Sequence, residues 1–470
     1  MQHDHKPGVT IQMGAQDWQI FQQDEAGKAR LELSGCWHAP TGYETHQPSI
    51  MVRLVHEASN CAVNGLDWQE AHTQVNQTWS IELNAVPCGG LYRIETALFL
   101  TDRLGARREL RGDMIHHIGV GDVWLIAGQS NATGYGREVI NEALQLGVHM
   151  YRTNGQWSLA THPLGDTTST NYPALLGVRN SGHSPWLTFA KSLYAELGFP
   201  IGLIPASKGG SSLSEWYRAE NGVLFANMLT MIKDAGSSIR GIVWYQGEAD
   251  TRNLTAAKTY KARFTSLVAD IRSALGISNL PIITAQLNRW DVDLTPDRVM
   301  GWEYIRDVQR QIACSIDGVH VVPTADLDVT DRIHNTSFAN RTIGERFARL
   351  ALGAVYHKDE CWRYPDCVVA RYLNPDQIVL EFAHVYRELS YQGSLNKDTP
   401  FAVCDETGTV HVKSMSLTAT NFITLTLSRM LQGDACVTGI PGCCPPAFIP
   451  YDLHENRPIL AFTRPVSYGT

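Results

Sequence analysis

The sequence lacks a long apolar run and a strong charge of either sign. No stretch approaches the roughly 20 apolar residues that a membrane-spanning helix needs. Lys and Arg number 39 against 47 Asp and Glu, a net charge of −8 over 470 residues. This balance indicates no basic surface for nucleic acid or anionic lipid. Met1 to Pro7 contains no apolar signal core, so we expect a soluble, cytoplasmic protein that binds neither nucleic acid nor membrane.

The cysteines form no CxxC pair, and the chain has no internal repeat or low-complexity tract. The absence of such a pair gives little support for a zinc site. In a long chain without a signal, we expect the ten cysteines to be buried thiols. With 44% hydrophobic and 18% charged residues, the composition is typical of packed globular domains rather than of disorder.

The pattern of apolar residues changes twice along the chain and predicts three domains. Residues 1–117 contain alternating apolar positions, as in the run 50–54, which indicates an antiparallel β-sandwich. Residues 118–357 instead show strand and helix patterns in turn. Alternation returns in residues 358–470 and predicts a second β region.

Five short apolar runs in the middle domain predict the strands of a parallel sheet. They lie at Val123–Ala127, Phe199–Pro205, Gly241–Tyr245, Pro281–Leu287 and Val319–Pro323. The predicted helices between them, such as Trp186–Leu197 and Ala256–Leu275, each end just before a glycine, the usual left-handed cap. Such strands are typical of a sheet covered by helices on both faces. Its ligands are expected beyond the carboxyl ends of the strands.

Polar segments follow three of these strands. Ser130 comes just after the first strand, where its hydroxyl could be presented at the sheet edge. Gly209 and Gly210 follow the second, and their backbone N–H groups could approach a ligand closely. Gln246 follows the third, where its amide could donate to an oxyanion. Each segment alone also has an ordinary structural explanation, as a helix cap or a turn.

An aspartate and a histidine follow the fifth strand. Asp331 and His334 are three residues apart, so the carboxylate can hold one ring nitrogen while the other faces a serine. Asp326 and Asp328 are alternatives for the carboxylate, with less suitable spacing. A hydroxyl, an imidazole held by a carboxylate and oxyanion donors are the set that acyl transfer needs. Their placement at one sheet edge favours a hydrolase.

These segments resemble the SGNH hydrolases, and among them the sialate O-acetylesterase-like carbohydrate esterases. Gly121–Asn131 is similar to the first block of that family, Gly209–Trp216 to the second, Trp244–Glu248 to the third and Asp331–His334 to the last. The third block carries glutamine where the wider superfamily has asparagine. The resemblance covers residues 121–348.

The resemblance implies both a fold and a site. The fold would be a flavodoxin-like three-layer α/β domain with a five-stranded parallel sheet, flanked by an N-terminal Ig-like β-sandwich and a C-terminal β region. Ser130 would be the nucleophile, His334 the general base and Asp331 its orienting carboxylate. The oxyanion hole would combine the N–H groups of Ser130 and Gly210, or Gly209 in its place, with the Gln246 side chain. The implied substrate contacts are Gln129, Asn131, Trp216 and Glu248, and no metal or other cofactor is implied.

The function we predict is removal of O-acetyl groups from carbohydrates, either sialic acid or a plant-type oligosaccharide, through an acetyl-enzyme. One alternative is an SGNH lipase or thioesterase for longer acyl chains, which the lack of a Leu/Phe-rich lid disfavours. The other is a non-catalytic carbohydrate-binding protein, which would not need a Ser–Asp–His set. Tryptophans near the edge could stack on sugar rings: Trp157, Trp216, Trp290 and Trp302. A homo-oligomer is also possible.

Overall fold

The structure is a computed structural model that describes residues 7–43, 45–177, 180–292, 294–396, 399–446 and 448–468. Within these residues, two β regions flank a central sheet that is covered by helices on both faces. No helix in these ranges is both long enough and apolar enough to cross a membrane.

Two sheets enclose the N-terminal core. The first has the strand order Gly8–Met13, Lys28–His38, Thr78–Pro87, His72–Thr73. In the second sheet, the strand Gln47–His56 pairs with three others: Cys61–Ala62, Gln69–Glu70 and Gly89–Thr101. The strand Gly89–Thr101 pairs on its other side with Arg107–Gly128. Arg107–Gly128 also pairs with Ile20–Gln22. Alternate residues of both sheets, such as Leu31 and Val52, are fully buried in a single core. This is the packing that the alternating sequence pattern predicts.

One strand, Arg107–Gly128, runs through both the N-terminal domain and the central sheet. Its first half pairs antiparallel with Gly89–Thr101, and its second half pairs parallel with Ile201–Pro205 and Gly241–Tyr245. The boundary predicted after residue 117 lies inside this strand. At Gly121 a Cβ atom would overlap the Pro200 carbonyl oxygen, so only glycine allows the close approach of the chains.

The central sheet contains the five predicted strands and two more. Its order is Trp157–Leu159, Val148–Tyr151, Ile201–Pro205, Arg107–Gly128, Gly241–Tyr245, Ile282–Ala285, Val319–Val322. The predicted five therefore lie in the order second, first, third, fourth, fifth, which is the flavodoxin-like order. All neighbouring strands are parallel except the edge pair, Trp157–Leu159 and Val148–Tyr151, which is antiparallel.

The prediction of five parallel strands is wrong in number, because Val148–Tyr151 is a sixth. Its four residues are too short for a clear pattern, and a histidine interrupts the apolar run. His149 is fully buried, and its Nδ1 lies 2.7 Å from the Trp18 carbonyl oxygen. Burial lowers the pKa of His149 to about 4, so a neutral ring fits this strand.

Helices pack on both faces of the sheet, as predicted. Val123, Leu125 and Ala127 contribute to the core on one face, whereas Trp124 and Ile126 contribute to the other. The helices of the first face are Leu213–Trp216, Val223–Asp234, Leu254–Lys258, Tyr260–Leu275 and Pro296–Ser315, and those of the second are Trp186–Leu197 and Ser337–Ala354. The remaining helical elements are Ser130–Thr133 and the 3₁₀ turns Pro173–Leu175 and Glu248–Thr251. The helix predicted over 256–275 is two helices that meet at Thr259.

The C-terminal region is built from antiparallel sheets around its own core. The larger has the order Val412–Ala419, Phe422–Leu427, Gln377–Ala383, Asp366–Asn374, Ser467–Tyr468, with the last pair parallel. The second has the order Gly408–Val410, Phe401–Asp405, Ala435–Gly439, Phe462–Pro465, and a small third sheet has the order Leu389–Ser390, Tyr451–Asp452, Arg457–Pro458. This confirms a second β region after the α/β domain.

Candidate active site

Ser130 lies where the shared strand ends and a short helix begins. Gly128 has φ +124°, and a Cβ there would overlap the backbone of Tyr245, so glycine permits this turn. Ser130 is the first residue of the helix Ser130–Thr133 and is 9% exposed. N–H groups in the first turn of a helix have no partner within the helix. The Ser130 N–H is therefore available to a ligand.

The loop after the last strand brings Asp331 and His334 together. His334 Nδ1 lies 2.7 Å from Asp331 Oδ2, and the His334 backbone N–H donates to Oδ1 at 3.0 Å. Burial acts to raise the pKa of the Asp331 carboxyl, but hydrogen bonds from the ring and backbone of His334 hold it below its ordinary value. An ionised Asp331 accepts the proton on Nδ1, which leaves Nε2 as the acceptor. The alternative Asp326 instead pairs with Arg346.

Ser130 and His334 line the same cavity, of about 360 Å³. The cavity is also lined by Gln129, Tyr135, Gly177, Gly209, Gly210, Glu248, Ala249, Trp290, Arg298 and Ile333. Among the hydrogen bonds of the residues described, none joins the Ser130 hydroxyl to the His334 ring. Such bonds often tighten only when substrate is bound.

Tyr135 packs on the histidine and narrows this cavity. Its ring stacks on that of His334, with centroids 4.7 Å apart and planes 20° apart. A Cβ at Gly209 would lie 3.2 Å from the Tyr135 hydroxyl and 3.9 Å from the Ser130 Cβ. Tyr135, Gly209 and Ser130 therefore converge on a small space next to the serine. Nothing in the sequence places Tyr135 beside His334, so this contact is not predictable from the sequence.

Asn131 connects the serine segment to the histidine loop. Its Oδ1 accepts from the Asn335 N–H at 3.1 Å, and its Nδ2 donates to the Ile333 carbonyl at 3.3 Å. Asn131 is 2% exposed and does not line the cavity. The structure therefore does not support Asn131 as a substrate contact, because its amide is fully used in holding the residues on either side of His334.

Glu248 is a buried carboxyl at the wall of the cavity. Its Oε1 accepts from Asn131 Nδ2 at 2.7 Å, and its Oε2 has no partner among the described residues. Burial is the main cause that raises the pKa of Glu248 to about 7, and the charge of Asp250 adds to it. Gln129 also lines the cavity, and its Oε1 accepts from the Ala249 N–H at 3.1 Å. Both residues are placed where a substrate contact was predicted.

Gln246 and Trp216 do not lie on the cavity. Gln246 is fully buried, and its Nε2 donates to Asp250 Oδ2 at 2.5 Å and to the Ser211 carbonyl at 3.2 Å. These acceptors hold the amide, so the structure does not support its predicted role as an oxyanion donor. Trp216 is also fully buried, with its Nε1 bonded to Ser211 Oγ at 3.1 Å, and it cannot contact substrate as predicted.

Gly210 occupies the place predicted for it. It lies on the cavity, has φ +74°, and a Cβ atom added to it would meet no other atom within 4 Å. Among the described residues its backbone N–H has no hydrogen-bond acceptor. The N–H groups of Ser130 and Gly210 thus remain as donors on the cavity wall.

The C-terminal region helps to shape the site, which the sequence analysis did not foresee. Trp290 lines the cavity, and its N–H donates to the Cys443 carbonyl at 2.8 Å. Arg306, fully buried, donates to the carbonyls of Leu287 at 2.8 Å and Gly442 at 2.6 Å, and also to that of Asn288. One guanidinium therefore joins the strand-end loop of the site to the C-terminal loop 440–443.

Comparison with known proteins identifies the family that the central part resembles. A family model described as carbohydrate esterase, sialic acid-specific acetylesterase, matches residues 120–353. A probable carbohydrate esterase of Arabidopsis thaliana is 27% identical over 188 residues, which is 38% of this chain and 65% of that protein. The sialate O-acetylesterase of Homo sapiens is 25% identical over 234 residues, 42% of this chain and 43% of that protein. The chain thus spans less than two thirds of each curated relative.

A solved structure shows the same overall fold. A carbohydrate acetylesterase from Xanthomonas citri superposes with a TM-score of 0.63 over 97% of this chain and 99% of its own, at 18% identity. The match includes both β regions as well as the α/β domain. Together with the family match, these relatives confirm the resemblance to the sialate O-acetylesterase-like carbohydrate esterases.

Proposed function

We propose, from the carbohydrate esterase match of residues 120–353 and the geometry of the cavity, that this chain is a carboxylic ester hydrolase that removes O-acetyl groups from carbohydrates. One observation carries the proposal. Ser130 and His334 line one cavity, and Asp331 lies 2.7 Å from the far nitrogen of the histidine ring. A hydroxyl, an imidazole of fixed tautomer and a carboxylate are the groups that serine ester hydrolysis requires.

The reaction proceeds in two steps. The Ser130 oxygen attacks the acetyl carbonyl carbon while His334 Nε2 takes the hydroxyl proton, and Asp331 stabilises the imidazolium. The tetrahedral intermediate collapses, the bond to the sugar oxygen breaks, and the imidazolium protonates that oxygen. Water then adds to the acetyl-enzyme with His334 as base, and acetate leaves as Ser130 recovers its proton.

The oxyanion is held by backbone groups in this proposal. The N–H groups of Ser130 and Gly210 lie on the cavity wall and have no acceptor among the described residues. Preorganised donors of this kind stabilise the charge that develops on the carbonyl oxygen. Gln246 lies behind the cavity wall and acts as a positioning residue. Its amide donates to Asp250 and to the Ser211 carbonyl, next to Gly210.

The narrow space beside the serine supports a short acyl group. Tyr135 and Gly209 approach each other on the side of Ser130, and the ring of Tyr135 is held in place by His334. An acetyl group is small enough for such a space. The alternatives for longer acyl chains, or for binding without turnover, have no observation of their own in their favour.

Release of acetate from a panel of acetylated sugars tests the proposal. We expect the wild type to release acetate and Ser130→Ala to lose at least about 10³-fold in turnover, because the nucleophile is gone. Ser212→Ala is a matched control, since this serine lies at the same sheet edge with the same 9% exposure and caps the helix Leu213–Trp216. It should retain turnover.

A series of p-nitrophenyl esters from acetyl to octanoyl separates the alternatives. We expect activity to be greatest for acetyl. Preference for octanoyl would replace the proposal with a lipase-like function, and equal turnover by wild type and Ser130→Ala would remove Ser130 as nucleophile.

A further inference from the structure

Three side chains outside the active-site cavity bring metal-ligand atoms together. Glu142 Oε2 lies 3.1 Å from His162 Nε2 and 3.0 Å from His183 Nε2. All three ligand atoms lie within 4.8 Å of one another. The other oxygen of Glu142 accepts from the Thr188 hydroxyl at 2.7 Å, which fixes the orientation of the carboxylate.

The cluster carries a buried negative charge. The side chains of Glu142 and His183 are each only 8% exposed. The Glu142 carboxylate accepts hydrogen bonds from both Nε2 atoms and from the Thr188 hydroxyl. Among the described residues, the ion-pair partners of Glu142 are the two imidazoles alone.

This set has the chemistry and spacing of a metal site. Neutral imidazole nitrogens and a carboxylate oxygen are the ligands of many zinc sites. Two ligand atoms about 2.1 Å from one tetrahedral ion are separated by about 3.4 Å. The two distances from Glu142 Oε2 to the imidazole nitrogens, 3.1 and 3.0 Å, are close to this separation. Neither Nδ1 has a hydrogen-bond partner among the described residues, so each ring can carry its single proton on Nδ1 and release Nε2 from Glu142 to bind an ion.

The cluster also has space for an ion to enter. Glu142, His162 and His183 all line a cavity of about 400 Å³. None of the residues that line it also lines the cavity of Ser130 and His334. Water in this cavity can complete the coordination of a cation that the protein holds by three ligands.

We propose that Glu142, His162 and His183 form a structural site for a divalent cation of the zinc type, separate from the active-site cavity. The ion would neutralise the buried carboxylate and join three segments whose ligands lie 20 and 21 positions apart in the sequence. One of them leads directly to the active site, because Gly136 exchanges backbone hydrogen bonds with His183 and follows Tyr135, which stacks on His334. Occupancy therefore stabilises one wall of the active site without contacting substrate.

Titration of the EDTA-treated full chain with Zn²⁺ tests this site. Isothermal titration calorimetry should show one tight site per chain, and ligand binding to the folded state should raise Tm. Glu142→Gln and His183→Gln should each weaken Zn²⁺ binding at least about 100-fold, because each removes a direct ligand. His320→Gln is the matched control, as this partly buried histidine packs on Trp362 outside the cluster and should leave the affinity unchanged.

The absorption spectrum of Co²⁺ gives a readout that does not depend on the variants folding. In the wild type we expect one Co²⁺ per chain, with d–d bands and without a thiolate charge-transfer band, because the ligands are nitrogen and oxygen. Failure of the wild type to bind stoichiometric Zn²⁺ or Co²⁺ would overturn the proposal. Unchanged Zn²⁺ affinity in both folded ligand variants, or a thiolate band for the bound Co²⁺, would do the same.

Discussion

The two β regions meet the α/β domain at opposite ends of its sheet and by different means. The N-terminal sandwich joins through the backbone, since Arg107–Gly128 is a strand of both units, and it lies at the amino end of the central strand. The C-terminal region docks at the carboxyl end through loop contacts, namely the backbone hydrogen bond from Trp290 to Cys443 and the Arg306 side chain, which donates to the carbonyls of both Leu287 and Gly442. The active site lies at this second end.

This difference indicates how each region affects the proposed esterase activity. About seven strand residues separate Gly121 from Gly128, a length of roughly 23 Å, so the sandwich is far from Ser130. The C-terminal loop instead contacts the segment that carries Trp290, a residue of the cavity wall. We therefore expect the sandwich to contribute stability and the C-terminal region to contribute both stability and turnover.

The strongest test of this comparison is Arg306→Met. Loss of the guanidinium leaves several buried carbonyls without a donor, so we expect the free energy of unfolding to fall by about 3–5 kcal/mol. At urea concentrations below the unfolding transition, turnover of acetyl esters should be about 10- to 100-fold lower than in the wild type, because the loop of the site loses its fixed position. Urea denaturation and steady-state kinetics measure the two effects.

Arg310→Met is the matched control for this variant. Arg310 lies in the same helix and pairs with Asp307 and with Asp366 of the C-terminal region, but it does not contact the loop of the site. We expect a loss of stability with unchanged turnover. If Arg306→Met also kept full turnover, the two β regions would not differ in their effect on catalysis.

A smaller effect, on stability alone, is expected at the other end of the sheet. The Cβ of Gly121→Ala would overlap the Pro200 carbonyl oxygen, which must move, at a cost of about 3 kcal/mol. Turnover per folded molecule should stay unchanged. Gly121 is not among the glycines with positive φ, so the cost of its substitution comes from the overlap. Gly276→Ala, with φ +67° and open space, measures the opposite case, a left-handed conformation without overlap, at about 1 kcal/mol. A marked fall in turnover for Gly121→Ala would contradict the comparison.

The smallest effect concerns pH and belongs to the carboxyl end. Burial raises the pKa of Glu248 from 4.5 to about 7, so the folded protein keeps a proton that the unfolded chain releases between these values. Stability that is present at pH 5 is therefore lost as pH rises to 8, by about 1–3 kcal/mol. Glu248→Gln mimics the protonated form and should remove this loss, whereas exposed Glu345→Gln should not. Equal pH dependence of denaturation in wild type and Glu248→Gln would refute the assignment.

The fold was largely predictable, because apolar runs and helix caps are local signals. The strand Gly241–Tyr245 and the helix Trp186–Leu197 have the bounds that their patterns predict. Val148–Tyr151 was missed because its burial depends on a distant partner, the Trp18 carbonyl that accepts from His149. The continuity of Arg107–Gly128 was also missed, since polar residues in its first half conceal a strand that is buried mainly in the second.

The contact between Asp331 and His334 was predictable because they lie three positions apart in the chain. The surroundings of Gln246 were not predictable, because an amide at a strand end can donate equally well to an oxyanion or to a buried carboxylate. In the structure it donates to the Asp250 carboxylate. Tyr135 and Arg306 act through contacts with residues more than 100 positions away. Contacts between residues so far apart in the chain cannot be predicted from motif spacing.

The continuity of the strand Arg107–Gly128 affects both proteolysis of the native protein and folding during synthesis. Arg107–Gly128 is one continuous strand of 22 residues, interrupted only by register shifts between Arg111 and Met114 and between Ile115 and Gly119. No linker without strand structure therefore lies between the sandwich and the α/β domain. A protease acting on the native protein should leave these two units in one fragment. During synthesis, the last strand of the sandwich is completed in the same stretch of chain that supplies the first strand of the central sheet. The two units therefore share one folding element and do not fold as independent domains.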